Sequence, residues 1–116
     1  RWGHAAGDAA LRHFAATLRA GLRTTDLAGR MGGEEFAVML RDSDLAGAEA
    51  FARRLQHRLA SMPVTLESDG RATLALSIGI TLMHPADDSA EAPLIRSDRA
   101  LYRAKRKGRN RIEIEP

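Results

Sequence analysis

The sequence predicts an α+β sandwich, a mainly antiparallel sheet flanked by helices. Three observations predict it. Three separate segments carry apolar residues at helical spacing. Two strand-like runs are joined by Gly32-Gly33, the signature of a tight hairpin. The element order reads α-β-β-α-(β)β-α-β, so hairpin-linked strands alternate with helices. At 116 residues the chain has room for one domain with one core.

Residues 9–22 form the first expected helix, with Leu11, Phe14, Ala15, Leu18 and Leu22 on one face. Strands follow at Leu27–Met31 and Glu35–Arg41. The run Phe36-Ala37-Val38-Met39-Leu40 is apolar on both faces, which predicts a central strand covered on both sides. A second helix spans residues 44–61, with Leu45, Ala48, Ala52, Leu55 and Leu59 inward and Asp42, Ser43 and Asp44 as candidate N-caps. Pro63–Glu67 is a short strand turned by Ser68-Asp69-Gly70. Then Leu74, Leu76, Ile78, Ile80 and Leu82 alternate with Thr73, Ala75, Ser77, Gly79 and Thr81. That pattern predicts a strand half-buried against helices. The third helix covers about residues 91–107, closed by Lys105-Arg106-Lys107 and Gly108. Arg111–Glu115 is a short edge strand. No internal repeat, low-complexity segment or linker is visible.

Composition narrows the function classes. Hydrophobic residues are 44% and charged residues 28%, a globular mix. No apolar run reaches the roughly 18 residues of a membrane span. No cysteine is present, so no disulfide and no thiolate metal site is expected. The net charge is +3 and the isoelectric point about 10.2, a mild basic excess that favours an anionic ligand. The four histidines are scattered, and no Gly-rich P-loop pattern occurs.

Chemistry concentrates in RMGGEEF, residues 30–36. Gly32 and Gly33 remove the bulk that keeps a ligand from the main chain. Glu34 and Glu35 are adjacent at a strand start and point to opposite faces, so they divide their roles. One can bind a hard cation such as Mg²⁺ while the other braces the hairpin. A Gly-Gly turn with solvated glutamates would read the same way. The basic run at the end of the third helix suits the helix dipole, but Arg109 lies beyond Gly108 and is not explained by it. Lys and Arg near a metal-binding carboxylate are what a triphosphate requires. Arg23-Thr24-Thr25-Asp26 offers a guanidinium fork and an acceptor, or simply a helix end and a turn. Asp8 is either the first helix's N-cap or a base-reading carboxylate.

Taken together, these features resemble the GGDEF domain of diguanylate cyclases, with the signature here as GGEEF. GHAAGDAALRHFAATLRAGLRTTD is similar to the segment leading into the signature, RMGGEEFAVML to the signature hairpin, LSIGIT to the later core strand and SDRALYRAKRKGRNRI to the closing helix and strand. The resemblance covers essentially residues 1–116. It implies a ferredoxin-like, nucleotide-cyclase-type sandwich. It also implies condensation of two GTP molecules into cyclic di-GMP with release of pyrophosphate, by two domains facing each other as a homodimer. Glu34 would bind Mg²⁺ (or Mn²⁺), with Glu35 beside the site. Asp8, Gly32, Gly33, Lys105 and Arg109 would bind the nucleotide: guanine at Asp8, the β- and γ-phosphates at Lys105 and Arg109. Arg23 and Asp26 match the family's product-inhibition motif.

Two expectations follow from where the sequence departs from the family. The resemblance implies a strand and a helix upstream of Gly3-His4, the strand with a metal-sharing aspartate and the region after it with a guanine-reading Asn, and these have no counterpart here. The chain, which opens on Arg1, is expected to be an N-terminally truncated domain and inactive alone. The parent is expected to carry a fused sensory or receiver domain and to hold this domain in the cytoplasm, membrane-anchored or not. A catalytically silent GTP- or cyclic di-GMP-binding module is the rival reading. A basic nucleic-acid-binding domain is disfavoured because only five aromatics are present.

Overall fold

The structure is a computed structural model, and it describes residues 4–32, 35–66, 70–72 and 76–116. In chain order these form α1 (His4–Gly21), β1 (Leu27–Gly32), β2 (Glu35–Met39), α2 (Leu45–Ser61), β3 (Val64–Leu66), β4 (Gly70–Ala72), β5 (Ile78–Ile80), α3 (Glu91–Arg106) and β6 (Ile112–Ile114). The α+β class matches the expectation, and so does the element order apart from β4, a strand at Gly70–Ala72 where a turn ending at Gly70 was expected. The strands pair as three two-stranded ladders: β1 with β2 and β3 with β4 antiparallel, β5 with β6 parallel. Two of the three ladders are antiparallel, in line with the mainly antiparallel expectation, and β5 with β6 is the parallel exception. Its cause is α3, which carries the chain back across before β6 begins, as a crossover must for parallel partners.

The described chain divides into two compact units, residues 1–42 with 55–74 and residues 43–54 with 75–116. In the first unit, α1 starts at His4 rather than near residue 9, drawing in the strong helix formers Ala5 and Ala6. Ala10, Leu18, Leu55 and Leu59 are buried there. Thr17 is buried too, and its hydroxyl donates to the His13 carbonyl at 2.9 Å. α1 lies beside β3, and the Phe14 ring meets Phe36 of β2 at 4.8 Å between centroids, tilted by 59°.

The ladder pairs Leu27 with Met39, Ala28 with Val38 and Arg30 with Phe36. Leu27 and Met39 therefore share the face opposite Phe36, and they stay 62% and 39% exposed. This corrects the expectation of a strand covered on both sides. The apolar run was read as doubly buried, but among the described residues β2 has β1 as its one strand neighbour.

In the second unit, Asp44 caps α2: its Oδ1 accepts from the Gly47 amide at 2.8 Å. α3 packs over β5 and β6. It does so through its smallest residues, since Ala100 and Ala104 are completely buried along with most of Pro93. A Cβ added at Gly79 would fall 2.2 Å from the Ser97 carbonyl and 2.3 Å from the Leu101 nitrogen. So α3 rides on the Ser77-Gly79-Thr81 side of β5, the side the alternation had assigned away from the apolar face. Ile80, on the other side, is buried as well. The strand is also shorter than the sequence suggested. Residues 73–75 of the expected strand, and Ser68 and Asp69 of the turn before it, lie outside the described residues.

Candidate functional site

The signature hairpin is built from its register. Gly32 pairs with Glu35, after an irregularity between Arg30 and Gly32, so residues 33 and 34 fall between the last partners of the ladder. Gly33 and Glu34 lie outside the described residues. Glu35 opens β2 with an exposed side chain. The aromatic pair Phe14–Phe36 holds β2 on α1 one residue from Glu35.

The base of the same hairpin is closed by Arg23 and Asp26. Asp26 Oδ2 accepts from the Arg23 amide at 2.9 Å and from its Nε at 3.3 Å. Oδ1 accepts from Arg23 Nη2 at 3.3 Å and from the Arg41 amide at 3.2 Å. Arg23 Nη2 also donates to the Arg41 carbonyl at 2.5 Å. The residue before β1 and the second residue past β2 are in this way tied to one guanidinium. Asp26 is 2% exposed, while Arg23 is 56% exposed. The backbone amide of Arg23, then its side chain, holds the Asp26 carboxyl below the usual carboxylate range. The sequence singled out both residues as one short motif, and the structure joins them and adds the amide and carbonyl of Arg41.

Asp8 sits within α1, one turn past its start, with an exposed side chain. The capping role is thereby excluded, because a cap must precede the first turn. Its base-reading role rests on the resemblance.

Lys105 lies in the last turn of α3, half-buried. The helix ends in three left-handed residues, Gly108 (φ 119°), Arg109 (φ 62°) and Asn110 (φ 48°). The Arg109 amide donates to the Ala104 carbonyl at 2.9 Å, the long bond of a Schellman motif. The Asn110 amide donates to Ser77 Oγ at 3.0 Å, and the Ile78 amide to the Arg111 carbonyl at 2.9 Å. The backbone of Arg109 is therefore fixed on β5 while its side chain stays exposed. Lys105 and Arg109 belong to the second unit; Asp8, Arg23, Asp26 and the hairpin belong to the first.

Sequence reasoning missed two ionic clusters in the second unit. Arg96 forks onto Asp87, Nη1 to Oδ1 at 3.1 Å and Nη2 to Oδ2 at 2.7 Å. Arg96 also donates to Thr81 Oγ1 at 3.0 Å and the Leu82 carbonyl at 2.8 Å. Both partners are nearly buried, and the Asp87 carboxyl is lowered to about 2, first by Arg96 and then by the His84 amide. Glu115 binds Arg99 and Arg103 and is likewise lowered to about 2. The residues were visible, but nothing in their spacing announces pairing across 9 to 16 positions of chain.

As for a magnesium ion, no group of three or more acidic or histidine side chains clusters among the described residues. Glu35, with its sequence neighbour at position 34, gives at most two adjacent carboxylates. That set fits a magnesium ion bound mainly through substrate phosphates rather than one caged by protein.

The chain matches the family described as diguanylate cyclase, GGDEF domain, over residues 1–111. It is 39% identical to diguanylate cyclase DgcP of Pseudomonas aeruginosa over 97% of its own length, and 40% identical to response regulator PleD of Caulobacter vibrioides over 96%. It spans 16% and 25% of those two proteins. Among solved structures it is similar to the GGDEF domain of YfiN from Pseudomonas aeruginosa, with TM-score 0.90, 36% identity, 100% of this chain and 72% of that one. It also resembles the active GGEEF domain of a diguanylate cyclase from Vibrio cholerae, with TM-score 0.84, 33% identity, 99% of this chain and 72% of that one. On the family match over residues 1–111 and the likeness of backbone to solved members, the chain belongs to the GGDEF domain family of diguanylate cyclases.

Proposed function

We infer that this chain is the nucleotide-handling part of a diguanylate cyclase, joining two GTP molecules into cyclic di-GMP. In each half-reaction the 3′-hydroxyl of one nucleotide attacks the α-phosphate of the other, a 3′–5′ phosphodiester forms and pyrophosphate leaves. Two such steps close the ring, so two facing domains each present one GTP. The observation that carries the reading is the Gly32–Glu35 ladder end within a chain that matches the cyclase family over residues 1–111.

The residues divide the work by chemistry. Bare main chain at Gly32 and Gly33 admits the nucleotide closely. Asp8 accepts from the guanine edge. Lys105 and Arg109 neutralise the β- and γ-phosphates, the charge that builds on the leaving pyrophosphate. Glu34, with Glu35 beside it, is the carboxylate that would hold Mg²⁺ or Mn²⁺. When bound, the ion supplies Lewis-acid neutralisation of phosphate oxygens.

The test is made on the full-length protein that contains this domain, with GTP and Mg²⁺. It should release cyclic di-GMP and pyrophosphate in a one-to-two ratio, and Glu34→Ala should abolish turnover. Unchanged turnover in Glu34→Ala would reject the carboxylate's role.

A second reading, cyclic di-GMP binding, is favoured by one observation. Arg23 keeps an exposed guanidinium fork above a nearly buried Asp26. Relatives such as DgcB from Caulobacter crescentus have been solved with cyclic di-GMP bound. Product binding at Arg23 is compatible with catalysis and would limit it by feedback.

A further inference from the structure

The outer side of α3 is unusual for a solvent face. Opposite the buried stripe of Pro93, Ala100 and Ala104, successive turns present Glu91, Ile95, Asp98, Arg99, Tyr102 and Arg106. Ile95 is 51% exposed and Tyr102 60%. Arg106 lies over the Tyr102 ring at 5.7 Å from its centroid and donates to its hydroxyl at 3.3 Å. A shallow depression of about 310 Å³ is lined by Tyr102, Arg103, Arg106 and Lys107. It is the groove between two i to i+4 ridges, Tyr102–Arg106 and Arg103–Lys107, the kind of groove that accepts a ridge of a second helix.

The charges on this face have a polarity. Carboxylates occupy its first half, at Glu91 and Asp98, and guanidinium groups its second, at Arg99 and Arg106. An acidic partner would meet repulsion at Glu91 and Asp98, and a basic one at Arg99 and Arg106. A copy of the same helix running the other way meets neither. With the two-fold axis between Asp98 and Arg99, Glu91 falls opposite Arg106, Ile95 opposite Tyr102, and Asp98 opposite Arg99, each pair occurring twice. Leu94 and Ile95 of one copy then face the groove at Arg103 and Tyr102 of the other.

We propose that the outer face of α3 is a self-association surface, pairing antiparallel with α3 of a second copy of this chain. At 1.5 Å rise per residue, this register sets the two Lys105 positions roughly 20 Å apart along the helix pair. The contact is therefore distinct from an encounter of two facing nucleotides, and it goes beyond the cyclase reading. A single helix pair buries less than the roughly 1,200–2,000 Å² of a standard interface, so the dimer is weak and depends on concentration.

Sedimentation equilibrium of the 116-residue chain over a concentration series should show reversible monomer–dimer exchange. Arg106→Glu should weaken it by about tenfold or more, since two like-charge contacts arise by symmetry. The swap Glu91→Arg/Arg106→Glu should restore the dissociation constant to within about threefold of the unaltered chain. The chain has no cysteine, so Ile95→Cys/Tyr102→Cys gives a second readout. Those positions lie about 10.5 Å apart along one helix, too far for a disulfide within a copy, so oxidation should yield covalent dimers. A chain that stays monomeric throughout, a swap that restores nothing, or oxidation without dimers would overturn the proposal.

Discussion

At the scale of single residues, Arg23 and Asp26 show how a short motif becomes a site. Asp26 is almost sealed, and its two oxygens are used by Arg23 and by the main chain of Arg41. Asp26 holds the Arg23 guanidinium in place while the Arg23 side chain stays 56% exposed. Calorimetry with cyclic di-GMP should therefore give clear heats with the unaltered chain and a loss of about tenfold or more in affinity with Arg23→Ala, as removal of a charged fork from a nucleotide contact predicts. Equal affinity in the two would remove Arg23 from the ligand site. Arg109 makes a related point. Its left-handed φ of 62° is tolerated because the Schellman bond to Ala104 holds the backbone, which places an exposed cation just past the helix end.

Among the elements, the β5–α3–β6 unit is organised by what is absent. Ala100, Ala104 and Gly79 lack the bulk that would separate helix from strand, and the Gly79 site leaves no room for a methyl group. The atoms in the way are α3 backbone, which cannot rotate aside. Gly79→Ala should destabilise the chain by at least about 1–3 kcal/mol, the range for overpacking, seen as a lower urea midpoint with little change in slope. A neutral result would mean that α3 can lift from β5 without cost. The alternation of residues 73–82 sets Gly79 on the side away from the apolar face. Periodicity separates the two sides of a strand, yet it does not say which side a helix will occupy when one is small and the other branched.

For the whole molecule, acid should be the sensitive direction. Asp87 and Glu115 both titrate near 2 in the folded chain, below the ordinary carboxylate values of 3.8 and 4.5. Depressed carboxylates contribute stability that is fully present above their unfolded values and is lost as pH falls through the folded ones. Thermal unfolding should thus show a flat stability above about pH 5 and a steady fall from there toward pH 2. Asp87→Asn should flatten that fall, and an unaltered acid limb would show that the Arg96 clasp does not stabilise the fold. Among the described residues no helix is long and apolar enough to cross a membrane.

The sequence by itself determined the class, the order of elements, the hairpin and the family resemblance, because all of these follow from local periodicity, glycine placement and short motifs. Helix ends were legible where chemistry marks them, as at Asp44 and Gly108, and not at His4, where a run of alanines carries no boundary signal. Tertiary structure alone decided the parallel pairing of β5 with β6, the exposure of Leu27 and Met39, the main-chain share of Arg41 in the Arg23–Asp26 clasp, and the Arg96 and Glu115 ion pairs. Each depends on which segments meet across many residues of chain, and contact between distant segments leaves no period for a sequence to display.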